Sequence, residues 1–468
     1  MNTPSFRAPA PAGRLTLDGC TVVTMDAAGT EHRSGHVVIE GSRITAVGAG
    51  PAPEAAGRDG AARVVDARGC VVTPGLVNCH HHLYQWVTRG LAVDDTLFGW
   101  LTTLYPVWAG LDEDIVRSAA TAGLGWLART GCTTSMDHHY VFPEAGGDLL
   151  AAEVDAARRV GLRFLPTRGS MDLGRSQGGL PPDHVVEDLD TILTASAEAV
   201  DRYHDPSPDS MLRIGLAPCS PFSVTGELLK QAALLARDKG VRLHTHLAET
   251  LDEQDYCREH FGCSPVEYVE SLGWLGDDVW LAHGIHLDDR AIGTLGATGT
   301  GVAHCPSSNA RLGAGICRSR ELRDAGVPVG LGVDGAASNE SASLLEEARH
   351  ALLFARAAGG PQALSTRDAL RMATIDGARA LGWDDQIGSL EPGKLADLAV
   401  WRVDTLPHVD IADPVAGLVL GSPPPLELLL VGGRSVVERD RLVTLEEEAV
   451  ARDAADASRR LLDRAAGH

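Results

Sequence analysis

Two kinds of hydrophobic spacing divide the chain. Towards both ends, apolar and polar positions alternate over short runs broken by glycine. LTLDGCTVVTM and GHVVIEGSRITAVG do so within residues 15–48, and IGSLEPGKLADLAVW and LELLLVGGRSVVERDRLV within 387–443. A period of two with turn residues between the runs predicts short strands. The economical arrangement pairs both ends into one small β-sandwich.

The middle of the chain follows another rule. Short apolar runs, GLVNCHH, CTTSMDH, LRFLPT, MLRIGLAP, VRLHTH, VWLAHGI, GVAHCP and VPVGLGVD, are separated by segments with helical spacing. Val185, Leu189, Ile192, Leu193 and Ala197 mark one such apolar face. Eight strands with intervening helices predict an α/β fold, a (β/α)8 TIM barrel. The competitor, a doubly wound open sheet, usually opens on a glycine-rich turn, and no G-x-G-x-x-G follows the first strand. The expected organisation is residues 1–72 as the first part of the β-sandwich, 73–384 as the barrel, and 385–468 as the rest of the sandwich with a terminal helix. Two connections, 83–110 and 169–183, are long and read as loops shaping a site at the C-terminal face of the barrel.

Length and charge narrow the picture. A barrel takes about 250 residues, so 468 residues leave room for a second domain. A net charge of −22 argues against nucleic acid or an anionic membrane as partner. Nine scattered cysteines, without a C-x-x-C pair, predict reduced thiols in a cytoplasmic protein. The start, MNTPSFRAPAPAGRL, has no apolar core of a signal peptide and is expected to be a loose tail. No uncharged apolar run is long enough to span a bilayer.

Chemistry gathers at the predicted strand ends. The first strand runs into His80, His81 and His82; the fifth ends in HTHLAET, the sixth in AHGIH, and the eighth in GVDGAASN. In a parallel barrel these ends share one rim. Side chains alternate along a strand, so His80 and His82 share a face and His81 points away. His246 can add a third nitrogen and Asp334 an oxygen. Three imidazoles and a carboxylate suit one divalent metal, Zn(II) first and Fe(II) second. Glu249, three residues after His246, is placed to move a proton without ligating the ion. His81, His244 and His286 read as structural histidines, and His138, His139 and His304 are evenly balanced.

These residues resemble a family. PGLVNCHHH, HTHLAET, LAHGIHL, HCPSSNARLGAGI, GVDGAASN and GSLEPGKLADLAV stand in the order found in the amidohydrolase superfamily, in its nucleobase deaminase branch. The resemblance implies His80, His82, His246 and Asp334 as metal ligands, with Glu249, His283 and Asp334 as catalytic groups. It also implies a homo-oligomer. Members with two metals bridge them by a carboxylated lysine, but Lys230, Lys239 and Lys394 are the only lysines and none sits at a strand end. This favours a mononuclear deaminase. The loops look most like those of 8-oxoguanine deaminases, which implies hydrolysis of 8-oxoguanine to urate and ammonia. Cys219 stands where adenosine-type deaminases tend to carry histidine, which argues against a nucleoside. Gln85 offers a donor and an acceptor to a lactam edge, and Trp100 a face for a planar ring. The alternatives are deamination of guanine, isocytosine or a pterin, and a triazine amino- or chlorohydrolase. A non-catalytic scaffold is the remote alternative: it would be free to lose ligands, and here every one is present.

Overall fold

The computed structural model describes residues 13–53 and 62–467; the Ala/Pro-rich start lies outside the described residues. From the N-terminal end come β1 (Arg14–Val23), β2 (Glu31–Glu40), β3 (Arg43–Ala49), β4 (Ala62–Asp66) and β5 (Cys70–Pro74). The barrel strands follow as β6 (Leu76–Asn78) with its extension β7 (His81–His82), β8 (Cys132–His139), β9 (Arg163–Ser170), β10 (Gly215–Pro218), β11 (Arg242–Leu247), β12 (Val279–His283), β13 (Gly301–His304), and β14 (Val329–Leu331) with its extension β15 (Asp334–Gly335). Strands β16 (Leu398–Arg402), β17 (Leu426–Val431), β18 (Arg434–Glu438) and β19 (Arg441–Leu442) complete the chain.

The eight parallel strands β6, β8–β14 close on themselves, and each lies where an apolar run predicts it. Strands from both ends form one separate nine-stranded sheet, joined where β16 pairs antiparallel with β5. Their alternating residues, among them Leu17, Val37, Ile39, Val72, Leu398, Val400 and Leu430, make a core distinct from that of the barrel. A buried ion pair ties the two: Arg163 Nε of β9 donates to Asp397 Oδ2 at 3.0 Å.

Helices between the barrel strands start and stop by ordinary rules. In α1 (Leu97–Trp108), α2 (Glu113–Arg129), α3 (Leu149–Val160), α4 (Leu189–Tyr203), α5 (Gly226–Lys239) and α6 (Leu251–Phe261), side-chain N-caps recur. Asp112 caps α2, Asp148 caps α3, Asp188 caps α4, Thr225 caps α5 and Thr250 caps α6, each accepting a backbone N–H of the first turn. Lys230 and Lys239 lie on α5, away from the strand ends, as the sequence implies. Among the described residues no helix is long and apolar enough to cross a membrane.

One expectation changes. The connection 83–110 is not a plain loop: it forms a 3-10 turn over Leu83–Thr88 and then α1. Leu97, Trp100, Leu101, Leu104, Tyr105 and Trp108 recur at spacings of three and four and form one broad apolar stripe. That stripe is buried because this helix lies over the barrel mouth.

The extensions set up the site. Beyond β6 and β14 the chain breaks step and pairs again, with Asp334 opposite His81 and Gly335 opposite His82. That short ladder lays the first-strand histidines beside the eighth-strand aspartate.

Candidate active site

Every side chain singled out for chemistry converges at the C-terminal mouth of the barrel. His82, His246, Asp334, Glu249, His283, Gln85, Trp100 and Cys219 line one cavity. His80 lies at its base, fully buried, with its ring 4.7 Å from that of His82.

Backbone and side-chain partners settle which nitrogen of each ring carries the proton. His82 Nδ1 lies 2.7 Å from the carbonyl oxygen of His138, and His246 Nδ1 lies 2.6 Å from that of Cys219. A carbonyl only accepts, so both Nδ1 atoms are protonated. His244 Nδ1 donates to Trp280 O at 2.8 Å; its Nε2 therefore accepts from His80 Nδ1, also at 2.8 Å. In the neutral state, Nε2 of His80, His82 and His246 each present a bare lone pair. Burial favours that state, holding His80 below and His82 and His246 well below the usual imidazole range.

Those lone pairs face one another and a carboxylate. His82 Nε2 and His246 Nε2 are 3.1 Å apart, and Asp334 Oδ1 is 3.3 Å from Nε2 of both His80 and His82. His80 Nε2 has no hydrogen-bond donor. Four converging electron-pair donors without a proton between them are mutually repulsive unless a cation neutralises them. Bonds of about 2.0–2.1 Å around a tetrahedral zinc separate ligand atoms by about 3.3 Å, so the donor set fits a divalent ion.

The other two predicted groups sit beside this cluster. Glu249 is nearly buried, and burial pushes its carboxyl up to about 7. Its Oε1 is 3.7 Å from His283 Nε2, and Asp334 Oδ2 is 4.0 Å from the same nitrogen. His283 Nδ1 donates to Asn309 Oδ1 at 2.9 Å, which turns Nε2 towards the cavity. Burial alone would lower His283, but the charges of Glu249 and Asp334 outweigh it and raise it. Burial alone would likewise raise Asp334, and the charge of His283 helps to hold it well below the usual carboxylate range instead. Both His283 and Asp334 take left-handed backbone angles, with φ of 74° and 62°. Such strain is costly for non-glycine residues and gathers at functional sites.

The remaining predicted contacts divide by character. Neither amide atom of Gln85 has a hydrogen-bond partner in the protein, although the residue is fully buried. Its seat depends on Gly335, where a Cβ would fall 1.8 Å from Gln85 Oε1. Trp100 donates its indole N–H to Ala337 O at 3.2 Å and keeps an edge on the cavity. The Cys219 thiol is neutral, pushed up to about 12 by burial.

Several supporting residues were not singled out from sequence. His244, read as structural, orients His80; Asn309 orients His283; Glu253 holds the turn bearing Glu249. His138 crowds the cluster but is stacked on His246 at 4.7 Å with 24° between ring planes. Nearly parallel rings cannot both contain an ion bound at His246 Nε2, so His138 walls the site rather than completing it. Its Nε2 donates to Ala217 O. Behind it, Asp137, His139 and Glu153 form a separate buried polar cluster. His81 accepts the His82 N–H through Nδ1 and points away, as strand alternation requires.

The chain is similar to known proteins over most of its length. Residues 71–423 match the amidohydrolase family. The 8-oxoguanine deaminase of Pseudomonas aeruginosa is 46% identical over 411 residues, covering 87% of this chain and 89% of the relative. An isoxanthopterin deaminase from an unknown prokaryotic organism is 39% identical over 447 residues, covering 91% of each. Among solved structures, atrazine chlorohydrolase TrzN from Arthrobacter aurescens, complexed with zinc, superposes with a TM-score of 0.90 at 34% identity, covering 95% of this chain and 100% of that one.

Proposed function

Because the chain belongs to the amidohydrolase family and is a hydrolase acting on C–N bonds, we propose that it deaminates 8-oxoguanine to urate, using one divalent ion, Zn(II). The observation that carries this reading is the convergence of three proton-free imidazole nitrogens and Asp334 beside Glu249 and His283. His80, His82, His246 and Asp334 hold the ion. Bound there, a divalent ion lowers the pKa of water and so supplies a nucleophile near neutral pH.

The protein side chains do the rest. Asp334 orients the attacking water and takes its proton. As oxygen adds to the carbon bearing the exocyclic amine, Glu249 passes a proton to the adjacent ring nitrogen, so negative charge does not build there. His283, held near Glu249 and Asp334, stabilises the charge that develops on the attacking oxygen in the tetrahedral intermediate. Asp334 then gives its proton to the amine. The C–N bond breaks and ammonia leaves, and the hydroxyl proton returns to Glu249 as the oxygen becomes a carbonyl.

Ring selection rests on the cavity. 8-Oxoguanine and isoxanthopterin, the compounds for which two relatives are named, share an amine between two ring nitrogens and a neighbouring lactam. The unpaired amide of Gln85 offers such a lactam its complement. The enclosing α1, and Cys219 in place of the histidine that adenosine-type deaminases tend to carry, disfavour a ribosylated ring. The free thiols support a cytoplasmic location. A triazine hydrolase is the second reading, supported by the likeness to atrazine chlorohydrolase.

Ammonia release over a panel of 8-oxoguanine, guanine, isocytosine, isoxanthopterin, adenosine and a hydroxy-triazine tests the substrate. We expect 8-oxoguanine to have the highest kcat/KM, because leaving polar groups of a fitted site unpaired is costly. Equal rates on guanine would sink the substrate while leaving the chemistry; a preference for the triazine would favour the second reading.

A further inference from the structure

The turn that carries Glu249 is unusual. Strand β11 ends at Leu247, and Ala248 follows with φ of 54°, a left-handed angle for a residue with a Cβ. Glu249 comes next, then Thr250, whose hydroxyl caps α6 by accepting the Glu253 N–H at 3.2 Å. In a capping box the acidic residue at the third helical position reaches back to the cap's own N–H. Glu253 reaches further. Its Oε1 accepts the N–H of Ala248 and its Oε2 that of Glu249, both at 2.9 Å, and the side chain is buried. From the other side, the carbonyl of Ala248 accepts the N–H groups of Ile285 and His286, both at 2.9 Å, in the turn just beyond His283.

Two features make this more than a helix cap. Both carboxylate oxygens are spent on consecutive N–H groups of a strained turn, so the carboxylate sets the turn's geometry. The turn also carries one proton-transfer group and is clasped to the segment following the other. We infer that Glu253 is a positioning residue for Glu249: its paired hydrogen bonds fix the Ala248–Glu249 backbone so that the Glu249 carboxyl meets the ring nitrogen it protonates. This rests on the proposed role of Glu249.

The substitution that isolates the effect is Glu253→Gln. Glutamine has the same shape but only one acceptor oxygen, and its NH₂ opposes one of the two N–H groups. The experiment measures kcat, KM and bound zinc with 8-oxoguanine for wild type, Glu253→Gln, Glu249→Gln and the double variant. We expect Glu253→Gln to lower kcat by about 10²-fold, the loss an ångström of misplacement produces, with KM and zinc content unchanged. The double variant should be no slower than Glu249→Gln alone, because residues acting as a unit are non-additive. A wild-type kcat for Glu253→Gln, a loss confined to KM or zinc content, or a double variant slower by the product of both effects would overturn the inference. A wild-type rate for Glu249→Gln would instead overturn the role of Glu249 on which it rests. Should Glu253→Gln fail to fold, the same rates are read in an Ala248→Gly background, which removes the strain at φ of 54°; there too a wild-type kcat overturns the inference.

Discussion

Asp334→Ala is expected to leave a protein that retains no divalent ion and releases no measurable ammonia from 8-oxoguanine. The reason is local. Asp334 Oδ1 faces Nε2 of both His80 and His82 at 3.3 Å, and it is the one anion among three imidazoles. Without it, the neutral nitrogens lose the charge that offsets a divalent cation in a buried site. Outer partners of metal ligands are worth about 10–100-fold in affinity, and loss of a ligand itself exceeds that. His82→Ala should behave alike. His81→Ala is the control, since its ring points away from the cluster; most of the metal should remain bound. Metal analysis of the three purified variants reads the result, and equal metal retention in all three would refute this ligand set.

Glu249→Gln should lose turnover by about 10²–10⁴-fold, the range for a general acid–base group, while keeping its metal. Its carboxyl lies 3.7 Å from His283 Nε2 and makes no contact with the lone-pair cluster that the ligand argument needs. Burial, which pushes it up to about 7, suits a group that must both hold and give a proton near neutrality. Glutamine keeps the shape and removes the transferable proton. Turnover near the wild-type rate would exclude Glu249 as the shuttle, and loss of metal would make it a ligand.

Much of this was legible in the chain because period and position carry it. Strand alternation separates His80 and His82 from His81, and eight apolar runs place HTHLAET and GVDGAASN on the same rim. What escaped is what tertiary contact decides. Nothing in the sequence says that the chain breaks after Asn78 and pairs again at His81 with Asp334, yet that ladder assembles the site. Helix α1 hid because Pro106, ordinarily a helix breaker, lies inside it. His244 reads as a filler until the barrel closes and brings its Nε2 to His80 Nδ1. Glu253 goes unmarked in the sequence, and only the left-handed Ala248 shows why it reaches past the cap of α6. His138 was evenly balanced in sequence; its ring, stacked nearly parallel on that of His246, makes it a wall.

The account stands most directly on metal-dependent ammonia release. The protein is stripped with a chelator and zinc is returned stepwise, with ammonia release from 8-oxoguanine followed at each addition. The account predicts that stripped protein is inactive and that activity rises in proportion to bound zinc, levelling off at one ion per chain. Full activity in the stripped protein, or a plateau only at two ions per chain, would contradict it.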